Sequence, residues 1–244
     1  MLQCLFDLCR LACMRLHRFY VSQPLGEEVV IDDVSLISQL TKVFRYTIGD
    51  FVILFNGDGN DYSYSIRDIT KKLCMLTCRS SSSSYIPLQK VILCLSIIKK
   101  DHFELVVQKA TELGVTSIIP ILSARSEKKN LTLDRLEKIA TESAEQCGRG
   151  DIPTISKILT LKEALGGMGS AQEKVFFDIS GSSFLEIKGR LHDKETILFI
   201  GPEGGWSNED LVLMREHHVE GYSLGKTTLR SETAAIVACA QVIL

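Results

Sequence analysis

Gly225, Lys226 and Thr227 spell the tripeptide that closes a nucleotide-binding P-loop, within the stretch GYSLGKTTLRSETAA from Gly221 to Ala235. A phosphate cradle needs four residues between its glycines, so that successive backbone N–H groups converge on one phosphate. Here three residues separate Gly221 from Gly225, and the first glycine's place is taken by Glu220, whose carboxylate repels a phosphate. Seventeen residues follow Thr227, room for one helix and no further strand. Asp178, after the apolar KVFF, is the acidic magnesium partner that a P-loop would require, but the spacing disfavours that reading. These glycines serve another purpose.

A second glycine loop, TILFIGPEGGWSNED (196–210), has the same setting. A strand-like apolar run enters Gly201-Pro202-Glu203-Gly204-Gly205, and a helix follows, with Ser207 and Asp210 in capping-box spacing. The loop thus sits at the carboxyl end of a strand, where open α/β sheets bind ligands. Gly204 and Gly205 permit positive φ and close approach of a ligand to the backbone. The spacing is not G-x-G-x-x-G, so the dinucleotide fingerprint fails. After the first loop comes a terminal helix, SETAAIVACAQVIL, that is apolar nearly all round and so is expected to be buried in a core or an interface. Arg230 and Glu232 stand at its start; spacing alone allows a structural ion pair or a function.

The elements that must hold these loops fall into two groups. From Met14 to Arg79 the pattern is β. RFYV, EEVVI, DFVILF and YSYSI are short, rich in β-branched and aromatic residues, and separated by the turn signals IGD and NGDGND. A small barrel or sandwich is expected. Five consecutive serines (80–84) follow; residues 80–86 read as a linker, because serines cannot fill a core. From residue 87 strands and helices alternate. KVILCLSII is the near-continuous apolar run of a strand buried on both faces. DHFELVVQKATELG has helical periodicity and ends on a C-cap glycine, Gly114. VTSIIPIL, a long amphipathic helix over 131–149 with Thr132 near its cap, KVFFDI, TILFIG, GYSLG and two last helices complete an α/β domain with a mainly parallel sheet.

The bulk numbers agree. The chain has 244 residues, 45% hydrophobic and 24% charged, with a net charge of −2. That is room for one large or two smaller domains, and it excludes a globally basic nucleic-acid binder; RNA contact would need local patches. Eight cysteines form no C-x-x-C pair, so neither a zinc site nor a disulfide scaffold is indicated, and reduced thiols in a cytoplasmic protein are expected. The start MLQCLFDLCRLACMRLHRFYV is interrupted by Asp7, Arg10 and Arg15 and lacks a basic leader, so it reads as neither signal peptide nor membrane span. Residues 1–13 read as an upstream extension, with Met14 as an alternative start.

IGPEGGWSNED followed by LGKTTLRSETAA resembles the paired signature segments of the SPOUT class of methyltransferases, and more narrowly the RsmE family, which methylates N3 of a uridine in 16S ribosomal RNA. HRFYV (17–21), VFRYTIGDFVILFNGDG (43–59), KKDHFELVVQKATELGVTSIIPILSARS (99–126) and ATESAEQCGRGDIP (140–153) are similar to further family segments in order, from Arg15 to the last residue. Phe44, Cys147, Gly148 and Trp206 depart from the usual residues, residues 1–13 have no counterpart, and the serine run is unusual. The resemblance implies an α/β fold: a C-terminal SPOUT domain (87–244) with a deep trefoil knot, preceded by a small PUA-like β-barrel (14–79) that binds RNA. It implies S-adenosyl-L-methionine as cofactor with no metal, and a homodimer. It also implies 16S rRNA or the small ribosomal subunit as partner, with no membrane. Two alternatives stay open: a methyltransferase for another RNA site, or a non-catalytic RNA-binding assembly protein.

On that resemblance the donor would be held by Ile200, Gly201, Pro202, Glu203, Gly204 and Gly205 of one loop. Leu224, Gly225, Thr228, Leu229, Arg230, Thr233 and Ala234 would hold it from the other. Uridine N3 carries a proton at neutral pH, so a base must remove it or a positive group must stabilise the anion. Arg230 is the expected positive group, with Glu232 orienting it. Glu203 is a further candidate or a structural partner. No base is assigned. The histidines are expected to be surface residues, with His17 ahead of a strand. RNA contacts are expected from Arg15, Arg18, Phe19, Tyr20, Arg45, Lys99, Lys100 and Arg149, and residues 125–130 read as a flexible loop or a solvated turn.

Overall fold

Period-2 alternation decides how the first segment folds. The computed structural model describes residues 16–126, 131–169, 172–191 and 194–244; Arg15, the 1–13 extension and His192 lie outside them. Strands β1 (Arg18–Tyr20), β2 (Glu28–Ile31), β3 (Phe51–Phe55), β4 (Asn60–Ile69) and β5 (Cys74–Ser83) make one sheet in the order β1-β3-β4-β5-β2. β1 pairs parallel with β3; the other pairings are antiparallel. Alternate residues point inward, so Val29 and Ile31, Val52 and Leu54, Tyr64 and Ile66, and Cys74 and Leu76 form one core. Helix α1 (Val34–Ser38) closes over it through Ile37, and Asp33 caps it by accepting from the Ser35 and Leu36 amides.

The serine run is not a linker. Ser80–Ser83 continue β5 and pair with Asn60–Ser63 of β4. A ladder is held by backbone hydrogen bonds, so exposed serines can extend a hairpin beyond the core. The chain divides into two units. One runs to Ile86 and takes in Glu145–Asp151; the other comprises Pro87–Ala144 and Ile152–Leu244. No local signal in the sequence marks 145–151 as belonging with the first unit.

The second unit contains β6 (Val91–Ser96), α2 (Lys100–Leu113), β7 (Ser117–Leu122), α3 (Leu133–Cys147, to Ala144), β8 (Thr154–Ile155), β9 (Leu159–Thr160) and α4 (Leu161–Gly166). It continues through β10 (Glu173–Ser183), α5 (Lys188–Leu191), β11 (Thr196–Ile200), α6 (Asn208–Glu216), β12 (Glu220–Ser223) and α7 (Ser231–Ile243). The strands form a seven-stranded sheet in the order β12-β10-β11-β6-β7-β8, with β9 also on β7, and every pairing is parallel. β11 is buried along its whole length, because its two faces feed different layers. Leu198 and Ile200 join Leu93 and Leu95 under α2 and α7, where Phe103, Val106 and Ala110 meet Ala235, Ala238 and Cys239. Ile197 and Phe199 join Cys94 under α4 and α6, with Leu161, Leu165 and Met214. A parallel sheet covered on both faces requires such continuous apolar strands. α2 ends at Gly114, whose φ of 108° is the left-handed cap that favours glycine.

Among the described residues no helix is long and apolar enough to cross a membrane. Cys74, Cys94 and Cys239 are buried free thiols; burial pushes Cys239 up to about 12 and Cys74 to about 11.

Candidate functional site

Both glycine loops leave the carboxyl ends of strands that flank β10 in one sheet, β11 and β12, and line one cavity of about 720 Å³. That size suits a small-molecule ligand.

The first loop is tightly held. Ser207 Oγ accepts from the Asp210 amide at 3.1 Å while Asp210 Oδ2 accepts from the Ser207 amide at 3.0 Å, a complete capping box at the start of α6. Asp210 Oδ1 also accepts from the Ala124 amide. Arg125, exposed as expected, also donates to the Gly204 carbonyl at 2.9 Å and so supports the loop; residues 127–130 lie outside the described ones. The Lys99 amide donates to Glu203 Oε1 at 3.2 Å. Trp206 is buried, donates from Nε1 to the Phe177 carbonyl, and packs so closely beneath Gly201 that an added Cβ would lie 3.1 Å from its ring. Gly205 takes a φ of 68°, which a side chain disfavours.

The second loop is held by less. The Ser223 hydroxyl donates to the Gly225 carbonyl at 2.7 Å, and Arg230 caps α7 with its backbone alone. The helix starts at Ser231, beyond Lys226 and Thr227, whereas in a P-loop the helix opens at that tripeptide.

The cavity is lined by Ile200 to Gly205 without exception, and by Leu224, Thr228, Leu229, Arg230 and Ala234. Gly225 and Thr233, also expected there, do not line it; Thr233 faces outward on the first turn of α7, where neighbouring positions point 100° apart. Arg230 is exposed. Glu232 forms no ion pair with Arg230 among the described residues; it is 8% exposed, and its carboxylate lies 3.6 Å from His102. His102 is no simple surface residue, because it lines the cavity from the first turn of α2 and its Nδ1 is buried. Lys99, expected at an RNA surface, also lines the cavity.

Sequence reasoning missed Phe177 and Ile179, and gave Asp178 only a P-loop role. All three reach the cavity because β10 loops out: its register on Tyr222 jumps from Phe177 to Ser182. Gly181 makes the excursion possible, since a Cβ there would lie 2.7 Å from the Tyr222 backbone. Only ISGSS, small residues after an apolar run, could have signalled the break. Asp178 Oδ1 is occupied by the Ser180 amide and hydroxyl.

The expected RNA contacts separate sharply within the first unit. Phe19 is 2% exposed and belongs to the core. Arg18 grips Asp61 with two bonds of 2.8 and 2.6 Å and lies over the Phe55 ring. Arg149 is 2% exposed and bidentate to Asp151. A guanidinium buried in a bidentate pair is a structural clamp and cannot reach a phosphate. Tyr20 is half-buried against Phe55. Arg45 is exposed, at an unusual φ of 57° between the stacked rings of Phe44 and Tyr46. His17 joins that aromatic group, 2.7 Å from the Tyr46 hydroxyl. In the second unit, Lys100 is exposed near Glu104.

Among the described residues no cluster of three or more His, Cys, Asp or Glu side chains is arranged to hold a metal ion. The cavity wall instead mixes apolar side chains, loop backbone, three carboxylates (Asp178, Glu203, Glu232) and the bases Lys99, His102 and Arg230. Charges of both signs beside apolar walls and loop backbone suit a ligand that is part charged, part flat and apolar.

The family model for the RNA methyltransferase domain matches residues 85–243, and that for the RNA methyltransferase PUA domain matches residues 40–76. The Ribosomal RNA small subunit methyltransferase E of Rickettsia conorii is 31% identical over 236 residues, covering 94% of this chain and 96% of that one. The chain is also similar to the crystal structure of the Neisseria gonorrhoeae Ribosomal RNA small subunit methyltransferase E bound to S-adenosyl methionine, with a TM-score of 0.83 at 27% identity, covering 93% of this chain and 96% of that one. A putative Legionella pneumophila methyltransferase in complex with SAM gives a TM-score of 0.84 at 26% identity, with 94% and 97% covered. With its two glycine loops on one cavity and a match along nearly its whole length, this chain belongs to the family of small-subunit ribosomal RNA methyltransferases E, a family of RNA methyltransferases.

Proposed function

We propose that the protein methylates N3 of a uridine in the 16S RNA of the small ribosomal subunit, with S-adenosyl-L-methionine as methyl donor. One observation carries this reading: the GPEGG and LGKTTLRSETA loops, far apart in sequence, line a single cavity of about 720 Å³ at the carboxyl ends of parallel strands. Family membership and the donor-bound relatives support it. The donor fits the wall: its adenosine suits the apolar side chains of Ile200, Leu224 and Leu229 with the backbone of Gly201 to Gly204. When bound, it supplies a methyl group on a positively charged sulfur.

The chain's own residues do the rest. The pinned first loop fixes a binding geometry before the substrate arrives, and such positioning supplies much of the rate in a displacement reaction. Arg230, exposed at the cavity mouth, stabilises the negative charge that develops on the uracil ring as its N3 proton leaves. Arg45, beside the Phe44, Tyr46 and His17 rings, offers the first unit's combination of positive charge and aromatic faces for RNA.

Four further parts of this reading rest on the resemblance: a trefoil knot around the donor loops, barrel closure of the first unit, a homodimer and a cytoplasmic location. The partly exposed Ala234, Ile236, Val237 and Ala240 on α7 are consistent with burial against a second copy. Nucleoside analysis of 16S RNA from cells lacking the protein tests the activity. N3-methyluridine should vanish and return with the wild-type copy. Unchanged N3-methyluridine would refute the substrate and move the search to other RNAs.

A further inference from the structure

His102 and Glu232 face one another in the cavity wall, each with an idle buried atom. His102 Nδ1 and Glu232 Oε2 are 3.6 Å apart, both shielded from solvent and without a hydrogen-bond partner among the described residues. Buried polar atoms are nearly always bonded. A gap slightly longer than a hydrogen bond, between a ring nitrogen and a carboxylate, is the geometry that tightens when a substrate enters. The two residues lie in the first turns of α2 and α7, which pack together through Phe103, Val106, Ala235 and Cys239, so rigid elements set the separation. With Nδ1 buried and the His102 side chain 34% exposed, the remaining ring nitrogen, Nε2, is left for the cavity.

Each of the other acidic groups on this cavity has one oxygen in a structural hydrogen bond. Asp178 holds Ser180, and Glu203 accepts from the Lys99 amide. Arg230 and Lys99 are cations that cannot accept a proton while charged. We infer that His102 accepts the uridine N3 proton at Nε2, and that Glu232 is the positioning residue that receives Nδ1–H and fixes the ring. This rests on the function proposed above. The imidazole takes the proton, and the freed N3 pair forms the bond to the methyl carbon. The carbon–sulfur pair stays with the sulfur of the sulfonium donor, and the imidazolium then releases its proton to water. Glu232 stabilises that imidazolium. The other titratable groups that line this cavity are Lys99, Asp178, Glu203 and Arg230.

Two measurements on the full chain test this. In protein labelled with ¹⁵N-histidine, without donor or RNA, the neutral His102 ring should be the Nδ1–H tautomer, with the signal assigned by its absence in His102→Gln. Glu232→Gln should lose that preference. A wild-type Nε2–H tautomer overturns the inference. In methylation of small ribosomal subunits from cells lacking the protein, His102→Gln should lower kcat by about 10²–10⁴-fold at neutral pH. That deficit should shrink as pH rises and hydroxide ionises the uridine. A deficit that stays constant with pH, or none, overturns the assignment. Glu232→Gln should cost about 10–100-fold, as for other groups that orient a ring, and it gives a second test if the first variant folds poorly. A wild-type protein that methylates no uridine defeats the proposed function; an active wild type matched by His102→Gln defeats only this inference.

Discussion

The two loops of the cavity are built in opposite ways. The GPEGG loop is bound by Trp206 below, Arg125 on one carbonyl, the Lys99 amide on Glu203, and a buried capping box behind it. The loop from Leu224 to Arg230 has a serine hydroxyl at its start and a helix with no side-chain cap at its end. The first is a preformed mould. The second leaves its charged side chains, Lys226 and Arg230, without a structural partner among the described residues. A site that must both fix a ligand and follow a reaction needs both, since a group tied into a structural pair has no capacity left for the transition state.

That contrast can be broken at several points. Trp206→Ala should have the largest effect: it removes a buried aromatic ring and the support under Gly201, costing about 3–5 kcal/mol of stability. Thermal and urea unfolding would measure this, and calorimetry should show donor affinity falling with it. A mild effect would mean that the first loop does not depend on its floor. Arg230→Ala should do the reverse. We expect kcat to fall by about 10²–10³-fold, in the range for removing one group that stabilises developing negative charge, with the unfolding midpoint nearly unchanged. Loss of stability instead would make Arg230 a structural residue.

Ser207→Ala should cost about 1–2 kcal/mol by removing a buried cap, read as a urea midpoint. The smallest effect is expected at the exposed counterpart of that box, Thr160 and Glu163 on α4. Hydrogen bonds from the Thr160 amide and hydroxyl lower the Glu163 pKa below its ordinary 4.5. The stabilisation this carries is therefore full above the unfolded value and is lost as pH falls through the depressed folded value. Stability of wild type and Glu163→Gln should converge on acidification below that range; a difference independent of pH would remove the carboxylate from the explanation.

Local signals served the first loop better than the second. Ser207-x-x-Asp210 is a short-range pattern whose physical cause, two orphaned amides at a helix start, acts within four residues, and it is present as expected. The apolar runs of β6 and β11 likewise announced strands covered on both faces. The serine run misled because composition reports what side chains can pack, whereas pairing of Ser80–Ser83 depends on the backbone of a distant strand. The arginines misled for a related reason. A charge in a sequence shows what a residue could attract, and Asp61 and Asp151 had already claimed Arg18 and Arg149.

By itself the sequence determined the alternation of strands and helices, the parallel sheet they form, the two glycine loops with the cap behind one of them, and the family to which their combination points. These follow from hydrophobic periodicity, glycine's freedom and hydrogen bonding over a few residues. Only the tertiary structure decided that the Glu232 carboxylate lies by His102, that β10 loops out to bring Asp178 to the cavity, and that residues 145–151 belong with the first unit. Each of these depends on where two segments distant in sequence come to rest, which is fixed by packing across the whole core.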